Sequence, residues 1–127
     1  MINLFFVATG GALGAALRYL TSISFNYFFY YSFIGTLCIN VLGSFLIGLL
    51  VYFIKNKELS EEVIKYFFII GLLGSYTTFS AFSLETIELF INNKLLLSFA
   101  YIILSLVLCI LATYIGFNIE KIIHWKK

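Results

Sequence analysis

The sequence has few charged residues: they make up 11% of its 127 residues, whereas hydrophobic residues make up 62%. The mean hydropathy is +1.05. A soluble domain usually carries about 25% charged residues, which cover its water-facing surface. The composition therefore excludes a soluble globular domain and indicates a membrane protein. The net charge of +2 and the lack of a long basic run also argue against nucleic acid as a partner.

The side chains of common catalytic and metal sites are also scarce. The only histidine is His124, and the two cysteines, Cys38 and Cys109, lie far apart in apolar segments. Two isolated cysteines satisfy no metal-ligand spacing, so we interpret both as buried thiols that pack as small hydrophobic groups. No nucleophile–base pair is apparent, and we expect no enzyme activity.

Four apolar segments predict an all-α membrane protein with a single transmembrane domain over residues 1–127. A spanning helix needs roughly 20 mainly apolar residues. The predicted helices are 3–22, 33–54, 63–90 and 96–119. Because Arg18 follows the first apolar run instead of preceding it, we expect this run to stay as a helix rather than to be removed as a signal peptide. We place the first turn in Ser24–Tyr31, where aromatic rings suit the headgroup region, and further connections at 55–62 and 92–94.

Polar and small residues in the first two segments need a reason, because polar groups are costly in hydrocarbon. Gly10 and Gly14 form a GxxxG pattern, which lets another helix approach closely. Arg18 either extends to the headgroups or raises the anion concentration at a pore mouth. Asn40 lies near the middle of the second segment, on one polar face with Thr36. Its amide either joins two helices or binds an ion in a pore.

The third segment is the most informative. Gly71 and Gly74 precede a run of hydroxyl-bearing residues that disfavours a continuous helix, so we expect a broken third helix. Carbonyls at a break attract a cation, and a helix that restarts presents free N–H groups to an anion. Phe79 and Phe82 share one face of the second half, where the positive edges of their rings can line an anion path. Glu85 follows and either extends to the interface, pairs with a basic residue or modulates the pore.

Three motifs together resemble the fluoride channel family called Fluc or CrcB. They are the Gly-Gly-x-x-Gly-Ala-x-x-Arg-Tyr run that ends at Arg18-Tyr19, the Gly-Thr-x-x-x-Asn-x-x-Gly-Ser-Phe-x-x-Gly run through Asn40, and the Gly-x-x-Gly-Ser-Tyr-Thr-Thr-Phe-Ser-x-Phe run through Phe82. The resemblance implies an antiparallel dimer with two pores at its interface. It also implies a structural Na⁺, which is not transported, held by backbone carbonyls of Gly74 and Thr77.

The same resemblance implies that Asn40 donates a hydrogen bond to fluoride and that Phe79 and Phe82 line the pore. The polar track that it implies consists of Thr36, Ser80 and Ser83, and Arg18 is our candidate for the pore mouth. The family has a pore-facing hydroxyl in its fourth helix, and the residues that share one face here are Ser105, Cys109 and Thr113. The sequence does not choose among these three. Ser75 stands where many relatives have a second glycine.

The resemblance further implies passive fluoride efflux, which lowers cytoplasmic fluoride, by a multi-pass protein of a prokaryotic plasma or inner membrane. One alternative is a small dual-topology multidrug exporter. Such a pump needs a central carboxylate, usually early in the chain, whereas the first acidic residue is Glu58. Another alternative is a non-conducting membrane assembly subunit, which explains the glycines but not Asn40 together with Phe79 and Phe82.

An even number of spans places both termini and the second loop on one membrane face, here called the terminus face. Its basic residues are Lys55, Lys57, Lys65, Lys121, Lys126 and Lys127, and those of the opposite face are Arg18 and Lys94. Excess Lys and Arg prefer the cytoplasm, which predicts that the termini are inside. The dimer is therefore either a homodimer whose chains insert both ways despite this bias, or a heterodimer with a related subunit. Its other partners are fluoride and membrane lipid.

Overall fold

The computed structural model describes residues 1–29, 31–55 and 61–124, and within these ranges the chain forms helices and turns without a strand. The helices are α1 (Ile2–Phe28), α2 (Ser32–Lys55), α3 (Val63–Leu73), α4 (Gly74–Tyr76), α5 (Phe79–Ile91), α6 (Leu95–Phe117) and α7 (Ile119–His124). The third span comprises α3 to α5 over Val63–Ile91, and the other three spans are α1, α2 and α6. The prediction of four apolar spans is therefore confirmed.

The first span is longer than the sequence predicts. We expected a turn to begin at Ser24, but α1 continues to Phe28, and the backbone becomes extended only at Phe29 (φ −121°, ψ 138°). The Ser24 hydroxyl donates to the Leu20 carbonyl at 2.9 Å. Its polar group is thus satisfied inside the helix, and it does not end the helix. Tyr30 and the loop residues 56–60 lie outside the described residues, as do 125–127.

Two other helix ends lie at asparagine residues. Asn93 has φ 58°, a left-handed conformation that asparagine tolerates better than most residues. This turn lets the Lys94 N–H donate to the Leu89 carbonyl at 2.9 Å, which closes the tight connection between α5 and α6. The helix α6 ends at Phe117, two residues before the predicted end at Ile119, and the side chain of the capping residue Asn118 donates to the Tyr114 carbonyl at 3.0 Å.

Two pairs of parallel helices build the bundle through backbone contacts at glycine. In α1, a Cβ atom at Gly10 or Gly14 would overlap backbone carbonyl oxygens of α3, at Phe67 and Leu72 respectively. The GxxxG pattern therefore packs against the third span, as it predicts. Gly48 and Gly116 bring α2 and α6 together in the same way.

The third span changes its helical form along its length. Val63–Leu73 is π-helical, and α4 adds Gly74–Tyr76. Thr77 (φ −76°, ψ 155°) and Thr78 (φ −151°, ψ 115°) then have extended backbone before α5 begins at Phe79. Long π-helical stretches are rare and often accompany functional sites. The extended pair Thr77–Thr78 lies midway along the span and organises the site described next.

Candidate functional site

Asn40 of α2 holds the extended pair in place. Its Nδ2 donates to the Thr78 carbonyl at 3.0 Å, and the Thr78 N–H donates to Asn40 Oδ1 at 2.8 Å. These two bonds satisfy both backbone groups of a residue that is not helical, which is essential where water is absent. Asn40 therefore does join two helices. One of its two Nδ2 hydrogens goes to Thr78, so the second remains for another acceptor.

Thr78 also caps the start of α5. Its Oγ1 accepts a hydrogen bond from the Ala81 N–H at 3.1 Å and lies 3.1 Å from the Ser80 hydroxyl. In a continuous helix the Ala81 N–H would donate to the Thr77 carbonyl instead. The cap thus stabilises the new helix start and releases the Thr77 carbonyl from helical bonding.

A cavity of about 260 Å³ lies beside the extended pair. Its walls are Asn40, Ser44, Ile47, Thr77, Thr78, Phe79, Phe82, Ser105, Leu106, Cys109 and Ile110. The ring centroids of Phe79 and Phe82 are 5.3 Å apart, with the ring planes at 45°. Phe82 is 8% exposed and Phe79 75%, so one ring closes the cavity from inside while the other stands at its open side.

Ser105 supplies an unpaired hydroxyl to this cavity. Its Oγ is buried and has no hydrogen-bond partner within the part of the chain that the structure describes. A buried unpaired polar atom is unfavourable, so this hydroxyl is ready to donate to a ligand. Of the three fourth-span candidates, Ser105 and Cys109 reach the cavity, whereas the Thr113 hydroxyl donates to the Cys109 carbonyl at 3.0 Å.

Arg18 lines a second cavity of about 450 Å³, together with Thr36, Thr78 and Ser80. Thr78 borders both cavities. The arginine thus faces a cavity that continues toward the extended pair. A cation in such a setting raises the local concentration of anions.

A hydrogen-bonded cluster of Thr36, Glu85 and Tyr101 lies between α2, α5 and α6. The hydroxyls of Thr36 and Tyr101 each donate to a different carboxylate oxygen of Glu85, both at 2.8 Å. Tyr101 is 1% exposed and Thr36 6%. The Tyr101 ring also packs against the ring of Phe82, with centroids 5.1 Å apart. The sequence analysis did not select Tyr101. The available signal was Glu85, because a carboxylate inside a span requires hydrogen-bond donors nearby.

The remaining predicted residues are less central in this single chain. The Ser83 hydroxyl donates to the Phe79 carbonyl at 2.9 Å, and Ser83 lines neither of the two cavities. Thr77 lines the first cavity, whereas Gly74 does not. Within the described residues, no three His, Cys, Asp or Glu side chains gather as a metal site.

A model of the family described as CrcB-like protein, Camphor Resistance (CrcB), matches residues 5–117. This chain belongs to the CrcB family. It is 42% identical over 122 residues to the fluoride-specific ion channel FluC of Flavobacterium psychrophilum, covering 95% of this chain and 98% of that relative. It is 44% identical over 129 residues to FluC of Agrobacterium fabrum, covering 95% and 98%. It is 46% identical over 123 residues to FluC of Campylobacter jejuni, covering 95% and 100%.

CrcB relatives carry the name of an ion channel, and the four apolar spans belong to a multi-pass membrane protein. The predicted family and the prediction that the chain is not an enzyme are therefore confirmed. The prediction of a buried thiol at Cys38 is wrong, because this side chain is exposed. It lines an open apolar groove between α2 and α6.

Proposed function

We propose that this chain is a subunit of a fluoride-selective channel through which fluoride leaves the cytoplasm passively. The observation that carries the proposal is the first cavity, where the Asn40 amide, the Ser105 hydroxyl and the Phe79–Phe82 ring pair meet beside the extended backbone. The names of the CrcB relatives agree with this assignment.

The cavity suits a small anion because its groups are neutral. The second Nδ2 hydrogen of Asn40 and the hydroxyl of Ser105 are hydrogen-bond donors, and the edges of the two phenylalanine rings are partly positive. A conducting site must replace the hydration of the ion yet release it again. Neutral donors and ring edges meet both needs, whereas a lysine in the same place would retain the anion.

The route continues along a polar track toward Arg18. Thr78 borders both cavities, and Thr36 and Ser80 line the second one. Thr36 and Tyr101 hold the Glu85 carboxylate between their hydroxyls. A hydroxyl rotates easily, so that of Thr36, which lines the second cavity, can turn from the carboxylate toward a passing anion. Ser83 remains a predicted member of this track.

We also propose that the extended pair is the functional break of the third span, and that two copies meet there in an antiparallel dimer. Phe79, which is 75% exposed in the single chain, needs a second wall to line a pore, and a second copy supplies it. The Thr77 carbonyl is released from helical bonding. Together with the Gly74 carbonyl it would hold a structural Na⁺, since a hard cation prefers oxygen ligands.

The physiological role follows from the chemistry of a weak acid. Hydrogen fluoride crosses a membrane uncharged and dissociates inside, which traps fluoride in the cytoplasm. A passive anion pore then lets the membrane potential drive fluoride out. Dual insertion as a homodimer and pairing with a related subunit both remain compatible with this role.

The proposal is tested by fluoride resistance in bacteria that lack their own fluoride channel. The wild-type chain is expected to restore growth at raised fluoride, and Phe79→Ile to lower fluoride efflux by about three- to tenfold, because the ring edge is lost. Phe99→Ile is the matched control, since Phe99 is exposed on α6 and does not line either cavity. Equal efflux from the two variants would refute the assignment of the ring pair.

A further inference from the structure

The terminus face carries a cavity that the proposed pore does not use. It measures about 120 Å³ and lies where α2 and α6 end, between Tyr52, Lys55, Phe117, Asn118, Glu120 and Lys121. Lys55 is the last residue of α2, and Lys121 lies in α7 just after α6. Two cations from different elements therefore converge at the edge of the membrane.

The contacts of this cavity leave it positively charged. The Lys55 ammonium lies 5.4 Å from the centroid of the Phe117 ring, a cation–π contact. Glu120 is engaged at one side, where its Oε2 accepts a hydrogen bond from the Tyr52 hydroxyl at 3.1 Å. The lining contains two lysines and one glutamate, which gives 2 − 1 = +1. Basic cavities between spans at the membrane edge are suited to anionic lipid headgroups.

An apolar groove of about 490 Å³ runs along the same pair of helices. It is lined on α2 by Cys38, Leu42 and Phe45 and on α6 by Leu108, Ala112 and Ile115, among other apolar residues. Tyr52 follows Phe45 by 52 − 45 = 7 residues, and Asn118 follows Ile115 by 118 − 115 = 3. These spacings keep the residues on one face of each helix. The groove thus leads along both helices toward the basic cavity.

We propose that this seam binds an anionic phospholipid, with its phosphate between Lys55 and Lys121 and an acyl chain in the groove. The positive charge of the cavity favours an anionic lipid over a zwitterionic one. The groove favours a lipid over a free phosphate, because a free phosphate would leave the apolar surface uncovered. In each copy whose termini are inside, as the charge bias favours, the lysine-rich terminus face meets the leaflet whose anionic lipids attract such residues.

The test is lipid retention by the purified full chain, measured by native mass spectrometry with phosphatidylglycerol and phosphatidylcholine offered together. The wild type is expected to retain phosphatidylglycerol. Lys55→Gln and Lys121→Gln should each weaken that retention about fivefold, since one lysine near an anionic lipid surface has that effect. Cys38→Trp, which fills the groove at an exposed position, should weaken it as well.

Lys65→Gln is the matched control. Lys65 lies on the terminus face, with its ammonium 5.6 Å from the centroid of the Tyr66 ring, but it does not line the cavity. The Lys65→Gln variant should therefore retain as much phosphatidylglycerol as the wild type. Equal loss in all three lysine variants would overturn the proposal, and so would equal retention of the two lipids by the wild type. Displacement of the lipid by an equal concentration of soluble glycerol phosphate would also overturn it, in favour of a site for phosphate alone.

Discussion

Replacing Ser105 with alanine should change protein stability and ion flux in opposite directions. The buried Ser105 Oγ has no partner within the described residues, and a buried unpaired polar group costs about 1–3 kcal/mol. Ser105→Ala should therefore raise the free energy of unfolding by part of that amount. The same hydroxyl is proposed to donate to fluoride, and a hydrogen bond to an ion contributes about 1.5–3 kcal/mol. Fluoride flux should therefore fall about 10- to 100-fold.

Ser98→Ala provides the matched control on the same helix. Ser98 is 3% exposed, and its hydroxyl donates to the Thr86 carbonyl at 3.0 Å, so this change should lower stability by about 1 kcal/mol and leave flux unchanged. Thermal unfolding in detergent and fluoride efflux from vesicles measure the two quantities. The reasoning about Ser105 is refuted if Ser105→Ala destabilises the protein, or if it stabilises the protein while flux stays at the wild-type level.

Four further predictions follow from the helix packing, from the proposed Na⁺ site and from the charge bias. Asn40→Ala should lower the free energy of unfolding by about 2–6 kcal/mol, because two backbone groups of Thr78 lose their partners; unchanged thermal unfolding would show that these bonds are not made. Gly14→Ala should prevent folding, since its Cβ would overlap the α3 backbone, whereas Gly74→Ala should fold, since its Cβ would lie 3.4 Å from the nearest carbonyl oxygen. Fluoride flux through the wild-type chain should need Na⁺. Full flux after exhaustive Na⁺ removal would argue against the structural ion. A reporter at the C-terminus should appear on both membrane faces if the protein is a homodimer. If it is a heterodimer, the reporter should appear only inside, and the chain alone should carry no flux. Placement only outside would contradict the face assignment.

The sequence was sufficient to predict features that depend on the length and spacing of residue patterns along the chain. Apolar length alone predicted four spans, because the bilayer thickness sets how many residues a helix needs. The Gly10–Gly14 spacing predicted a close helix contact, and the structure places it against α3. Asn40 was selected as a polar residue in hydrocarbon, and Phe79 and Phe82 were selected for their shared helix face and for the family resemblance; all three line one cavity.

Features that depend on contacts between distant residues were not predictable in the same way. Tyr101 becomes significant only because α2, α5 and α6 bring it to Glu85. The end of α1 was misplaced because Ser24 can bond to its own helix as readily as it can begin a turn. The exposure of Cys38 depends on which face of α2 looks toward lipid, which an apolar segment does not reveal by composition.

Fluoride release from vesicles that contain only this chain, reconstituted in both orientations and loaded with fluoride, tests the central claim most directly. With a potassium diffusion potential applied, a fluoride electrode should record release far faster than from protein-free vesicles, while chloride-loaded vesicles should stay at the background rate. Fluoride release at the protein-free rate from a chain whose C-terminus appears on both membrane faces, or chloride release as fast as fluoride release, would contradict the assignment of a fluoride-selective pore.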